Sequence, residues 1–138
     1  MTTSKPPVIG GRREAREQAL LLLYEVEARG GDADLVLDGR TQDFDSFTLD
    51  AVYGVNDNLE RIDAEISALA TDWPIDRLAA IDRGVLRLAI WELFDREDIP
   101  AAVTLNEAVE LAKTYGTDDS GRFVNGVLAS AARRADKQ

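Results

Sequence analysis

Between Ile81 and Phe94 the apolar residues Ile81, Val85, Leu86, Leu88, Ala89, Ile90, Trp91, Leu93 and Phe94 leave almost no polar face at helical spacing. A helix that is apolar around most of its circumference is stable in water only when other elements wrap it. The rest of the chain supplies stripes suited to that wrapping.

From Arg12 to Ala28 the residues Ala15, Ala19, Leu22, Leu23 and Val26 recur at offsets of three, four and seven, and Gly30 and Gly31 stop the pattern. A brief helix is expected at Leu35 to Leu37. From about Phe47 to Ala70, the apolar positions Leu49, Val52, Tyr53, Leu59, Ile62, Ile66 and Leu69 share one stripe with carboxylates opposite. This predicts one long amphipathic helix, bent at Gly54. Trp73-Pro74 marks a boundary, because the residue before proline is pushed out of the helical region, and a short helical turn is expected after it. Past the Pro100 turn, Thr104 and Glu107 form a T-x-x-E capping box, and Leu105, Ala108, Val109, Ala112 and Tyr115 define a helix face that Gly116 ends. Asp118, Asp119 or Ser120 is suited to cap the last helix, which carries Phe123, Val124, Val127, Leu128 and Ala131. Gly126 in mid-helix costs about 1 kcal/mol relative to alanine, so a close helix crossing is expected there.

No alternating pattern argues for a strand. The expected class is therefore all-α, about six or seven helices with short connections. Residues 1–11, with Pro6, Pro7, Gly10 and Gly11, read as a flexible arm, and 12–138 as a single helical domain. A chain of 138 residues removes roughly two-thirds of its extended surface from water on folding, enough for a core without staples.

The absent residue types exclude several chemistries. With neither cysteine nor histidine, disulfides, thiolate zinc sites, Ser-His-Asp catalysis and H-E-x-x-H hydrolysis are impossible. No G-x-G-x-x-G segment prepares a nucleotide or methyl-donor site. The acid-rich middle lacks a D-x-D-x-D-G loop and reads as a solvated helix face, so neither metal, cofactor nor catalysis is expected. The leucine run Leu20 to Leu23 is too short for a bilayer span or a signal-peptide core, and a cytoplasmic protein is expected.

The net charge of -10 is unevenly placed. Residues 32–76 hold twelve acids against Arg40 and Arg61, whereas Lys5, Arg12, Arg13 and Arg16 open the chain and Arg122, Arg133, Arg134 and Lys137 close it. A fold that joins the two ends would place a basic face on an acidic body. Arg12, Arg13 and Arg16 lie within one turn at a helix mouth, where guanidinium groups can fork onto phosphates or stack on bases. The plainer alternative is a solvated helix start with Arg13 paired to Glu17. In the D-D-S-G-R-F segment, Arg122 and Phe123 stand in a helix's first turn. Phe123 suits either base stacking or core packing, and Asp119 and Ser120 suit capping, with Asp119 also able to accept from a base edge.

Three ordered blocks carry a resemblance: I-D-R-G-V-L-R-L-A-I-W-E-L from Ile81, V-T-L-N-E-A-V-E-L-A-K-T-Y-G from Val103, and D-D-S-G-R-F-V-N-G-V-L from Asp118. With R-R-E-A-R-E-Q-A-L-L-L-L-Y from Arg12 and W-P-I-D-R-L from Trp73, they resemble the NusB family over nearly the whole chain. That resemblance implies two small helical bundles packed side by side, here about 12–71 and 72–138. It also implies a transcription antitermination factor that binds boxA RNA with NusE, a small-subunit ribosomal protein, within an RNA polymerase antitermination complex used in ribosomal RNA transcription. It places Arg12, Arg13, Arg16, Lys113, Tyr115, Asp119, Ser120, Arg122 and Phe123 at the RNA edge, and Tyr24, Asp76 and Asp82 on the NusE surface. A homodimer of the free protein is left open, as is a helical protein-binding scaffold without an RNA role.

Overall fold

The computed structural model describes residues 9–38, 40 and 43–135, the side chains of 9–11 excepted. Seven α-helices and one 3-10 turn make up the regular structure, with no strand among the described residues: α1 (Ile9–Ala28), α2 (Ala33–Leu37), α3 (Ser46–Asp57), α4 (Leu59–Leu69), the 3-10 turn Ile75–Arg77, α5 (Ala80–Asp95), α6 (Ala101–Tyr115) and α7 (Ser120–Arg134). The all-helical expectation holds. Helix α1 begins at Ile9, so residues 9–11 of the expected arm are helical, and residues 1–8 lie outside the described residues.

Helix α5 is the hub. Leu86, Leu88, Ile90 and Leu93 are at most 2% exposed, and the helix touches α1, α3, α4, α6 and α7. Each such side chain contributes roughly 1.5–3 kcal/mol by leaving water. Helices α1, α2 and α3 pack on one another on one side of α5; α6 and α7 form a pair on it, and α4 packs against both α5 and α7.

Local chemistry sets the breaks. Gly30 and Gly31 both adopt φ of 90°, a left-handed conformation that ends α1 and that side-chain-bearing residues rarely take. Asp32 caps α2 by accepting from the Leu35 N–H at 3.2 Å, and Asp45 caps α3 by accepting from the Phe47 N–H at 2.8 Å.

The single long helix expected over 47–70 is instead two. Asn58 is the reason: its Nδ2 donates to the Gly54 carbonyl at 2.8 Å, taking the acceptor its own backbone N–H would use, and that N–H bonds the Val55 carbonyl. Gly54 is a crossing point rather than a bend. A Cβ there would lie 2.1 Å from Trp91 Nε1, so the indole of α5 occupies the space a side chain would need. Gly126, where the crossing was expected, is open: a Cβ there meets nothing within 4 Å.

The capping box also gives way. Pro100, with φ of -61°, leads into a helix that starts at Ala101, which puts Thr104 inside the first turns and buries it at 1% exposure. Its hydroxyl donates to Glu92 at 3.0 Å. At α7, Asp119 sits at the cap position without a side-chain capping bond.

Candidate nucleic-acid interface

Helix α6 meets α1 through side chains and packs along α7. Arg13 of α1 forks onto Glu107 of α6, its Nε and Nη2 donating at 3.0 and 2.8 Å. That contact holds the Glu107 carboxyl below its ordinary 4.5 and replaces the Arg13–Glu17 pairing considered from sequence. One turn further along α1 and two along α6, Tyr115 faces Glu17: burial first, and then the Glu17 carboxylate, raises its phenol. Lys113 lies over the start of α7, close enough that a Cβ at Gly121 would meet its Cγ at 3.2 Å.

The candidate residues differ in what they have to offer. Arg12 is exposed and stacks over the Phe47 ring at 4.6 Å, with no ion pair among the described residues. Its donors are therefore available to an anion. Lys113 is exposed, with Glu110 no nearer than 3.9 Å. Arg122 is exposed and carries no ion pair among the described residues, and Asp119 beside it is exposed and free of a capping duty. Arg13 has two of its five N–H donors committed to Glu107 and the rest open to solvent. Tyr115 is half-buried.

Two residues expected on the RNA edge lie in the interior. Arg16 is 3% exposed and forks onto Glu92 of α5, both bonds 2.8 Å. Its spacing from Arg12 is right for one helix face, but at Arg16 that face has turned in beside the buried Ala15, Ala19 and Leu20. Ser120 is 1% exposed; its Oγ accepts from the Thr117 N–H at 2.9 Å and lies 3.2 Å from the Thr117 hydroxyl, closing the turn before α7. Neither has surface for a polynucleotide to touch.

Phe123 is half-buried and makes an edge-to-face pair with Trp73, centroids 6.5 Å apart at 72°. Together with Arg122, Leu69, Ala70 and Val127 they line a shallow groove between the end of α4 and α7. In the sequence nothing marks Trp73 beyond its place before proline, yet it is 56% exposed.

Of the residues expected on a partner surface, Tyr24 and Asp76 lie near one arginine–carboxylate network. Tyr24 is 51% exposed on α1 at a cavity of about 340 Å³ that Leu23, Glu27, Gly84 and Arg87 also line. Glu27 accepts from Arg83 at 2.5 and 2.7 Å and from Arg87 at 2.7 Å. The Asp76 carboxylate helps raise the Arg83 guanidinium, so the 3-10 turn lies beside this network. Asp82, in the first turn of α5, has a buried Oδ1 without a hydrogen-bond partner among the described residues.

The NusB family profile matches residues 13–133. The chain belongs to the NusB family. Its relative in Pelotomaculum thermopropionicum, a transcription antitermination protein NusB, is 45% identical over 123 residues, 85% of each chain. The solved structure of T. maritima NusB superposes with a TM-score of 0.80 at 37% identity, covering 95% of this chain and 93% of that one. A second structure, of antitermination factors NusB and NusE in complex with double-stranded RNA, gives a TM-score of 0.73 at 27% identity over 92% of this chain and 99% of that one. This NusB-family chain is accordingly a transcription antitermination factor, of a regulatory and non-enzymatic family. No helix among the described residues is long and apolar enough to cross a membrane.

Proposed function

We propose that this protein binds boxA-type single-stranded RNA together with NusE, as a cytoplasmic adaptor in the RNA polymerase complexes that transcribe ribosomal RNA. The observation that carries the reading is the company kept by its free cations. Most arginines here bond carboxylates, whereas Arg12, Lys113 and Arg122 keep exposed donors, Lys113 over the start of α7 where Arg122 and Phe123 stand and Arg12 next to the Arg13 that reaches α6; in this reading they serve one RNA face. A polyanion gains from such a patch even on a protein of net charge -10. Asp119 then reads a base amino group, and Tyr115 lines the same edge. Tyr24, Asp76 and Asp82 form the NusE surface, where carboxylates suit a basic ribosomal protein. The solved relative with both NusE and RNA supports the pairing of partners.

Binding of a boxA-type oligonucleotide across a salt series tests this. The slope of log K against log salt is expected near -0.7 per neutralised phosphate, and Arg12→Ala or Arg122→Ala should each flatten it by about one phosphate. NusE should tighten RNA binding. An affinity indifferent to salt, to both arginines and to NusE would leave the scaffold reading, which the strongly acidic charge favours; that reading predicts NusE binding with no RNA bound at low salt.

A further inference from the structure

We infer that Trp73 is a stacking platform for an unpaired RNA base, seated in the groove between the end of α4 and α7; this rests on the RNA reading above. Trp73 is among the few large apolar side chains left mostly in water. It is also held in place. Its backbone N–H donates to the Ala70 carbonyl at 3.0 Å, and the following proline disfavours helical backbone at Trp73. With its backbone restrained and its ring against Phe123, the indole loses less freedom than a wholly mobile one when a base stacks on it.

The surroundings choose the occupant. In a T-shaped pair the ring that presents its edge keeps both faces and the other keeps one, so the Trp73–Phe123 pair retains open aromatic surface. Leu69, Ala70 and Val127 give the groove an apolar floor, and Gly126 contributes no side chain to fill it. Arg122, with no ion pair among the described residues, stands at the rim as a phosphate contact. Asp72, also at the rim, repels phosphate but accepts from base amino groups, which favours a base inward and its backbone toward Arg122. An apolar protein side chain would use the floor and leave both charges idle. Arg122 and Phe123 line the groove and lie beside Gly121, over which Lys113 stands, so a strand held by Lys113 can reach Trp73.

The chain's two tryptophans make the test direct, because Trp91 is 4% exposed and Trp73 faces solvent. Titration with a boxA-type RNA should quench the red-shifted emission of Trp73, and the quench should vanish in Trp73→Phe, whose only indole is Trp91. Trp73→Ala should weaken RNA binding roughly five- to hundredfold, with Trp73→Phe intermediate. Gly126→Leu, which enters open space and suits a helix, should weaken it by filling the groove. RNA that binds with unchanged emission and equal affinity for Trp73→Ala and Gly126→Leu would overturn the platform while leaving the RNA reading intact. Emission that answers to NusE alone would overturn it in favour of a protein contact. Absence of RNA binding by the unsubstituted chain at low salt would remove both.

Discussion

Two arginine–carboxylate clusters of nearly the same chemistry stand in opposite surroundings. At the seam of α1, α5 and α6, Arg16 and Glu92 are 3% and 2% exposed at their side chains and are completed by the Thr104 hydroxyl. Beside the Tyr24 cavity, Glu27 joins Arg83 and Arg87, and Arg87 also forks onto Asp63, with Glu27 35% and Asp63 24% exposed. The first is sealed; the second is wetted at its edge. Coulomb attraction is strong in the dry cluster, but so is the cost of removing two charges from water, and the geometry must offset it. In the outer cluster, water can replace a lost partner. The contrast teaches that bond length ranks neither cluster, since the distances are alike.

The largest effect should follow from breaking the sealed pair on one side. Glu92→Ala leaves the Arg16 guanidinium buried without a counter-charge and should cost about 3–5 kcal/mol, read from urea unfolding. A loss as small as that of an exposed pair would mean water reaches the seam. Replacing the whole cluster by apolar residues (Arg16→Met, Glu92→Leu and Thr104→Val together) should restore most of that loss, to within about 1 kcal/mol of the parent or above it. If the triple variant is no better than Glu92→Ala, the cluster supplies more than its own neutralisation.

A smaller effect is expected outside. Glu27→Gln should cost about 1 kcal/mol, discounted because a third of the side chain meets water. Arg83 first, then Arg87, holds the Glu27 carboxyl below its ordinary 4.5. Its contribution is therefore complete above pH 4.5 and fades as acid carries the pH down through its folded value. As the pH falls below 4.5, Glu27→Gln should lose less stability than the parent; pH profiles that stay parallel there would contradict this. Least of all should be Arg13→Ala at the exposed Glu107 fork, a small shift of the urea midpoint that added salt removes from the parent also.

The hub was legible because a run apolar on all sides needs no knowledge of its partners to demand wrapping. Glu92 carries a further signal: a carboxylate toward the end of that apolar run needs a cation, and Arg16 is bracketed by the buried Ala15 and Ala19. Read separately, the two charges look like surface; 76 residues apart, only the fold makes them one contact. The split at Asn58 was hidden because a side-chain amide competing for one carbonyl leaves no trace in periodicity. Thr104 misled for a related reason, since its spacing to Glu107 fits a cap while Pro100 starts the helix earlier. At the RNA face, charge marked Arg12, Arg13 and Arg122, but it could not tell which cations the fold had already spent. Trp73 passed as punctuation because its exposure comes from the path of the chain between α4 and α5.

The indole of Trp91 resting where a Gly54 side chain would begin also bears on how such a sequence can change. A larger residue at 54 forces the Trp91 indole to shift, and shrinking 91 alone opens a hole beside α3. The two sites are thus bound to drift in lockstep, a restriction on descent that neither residue would reveal by itself.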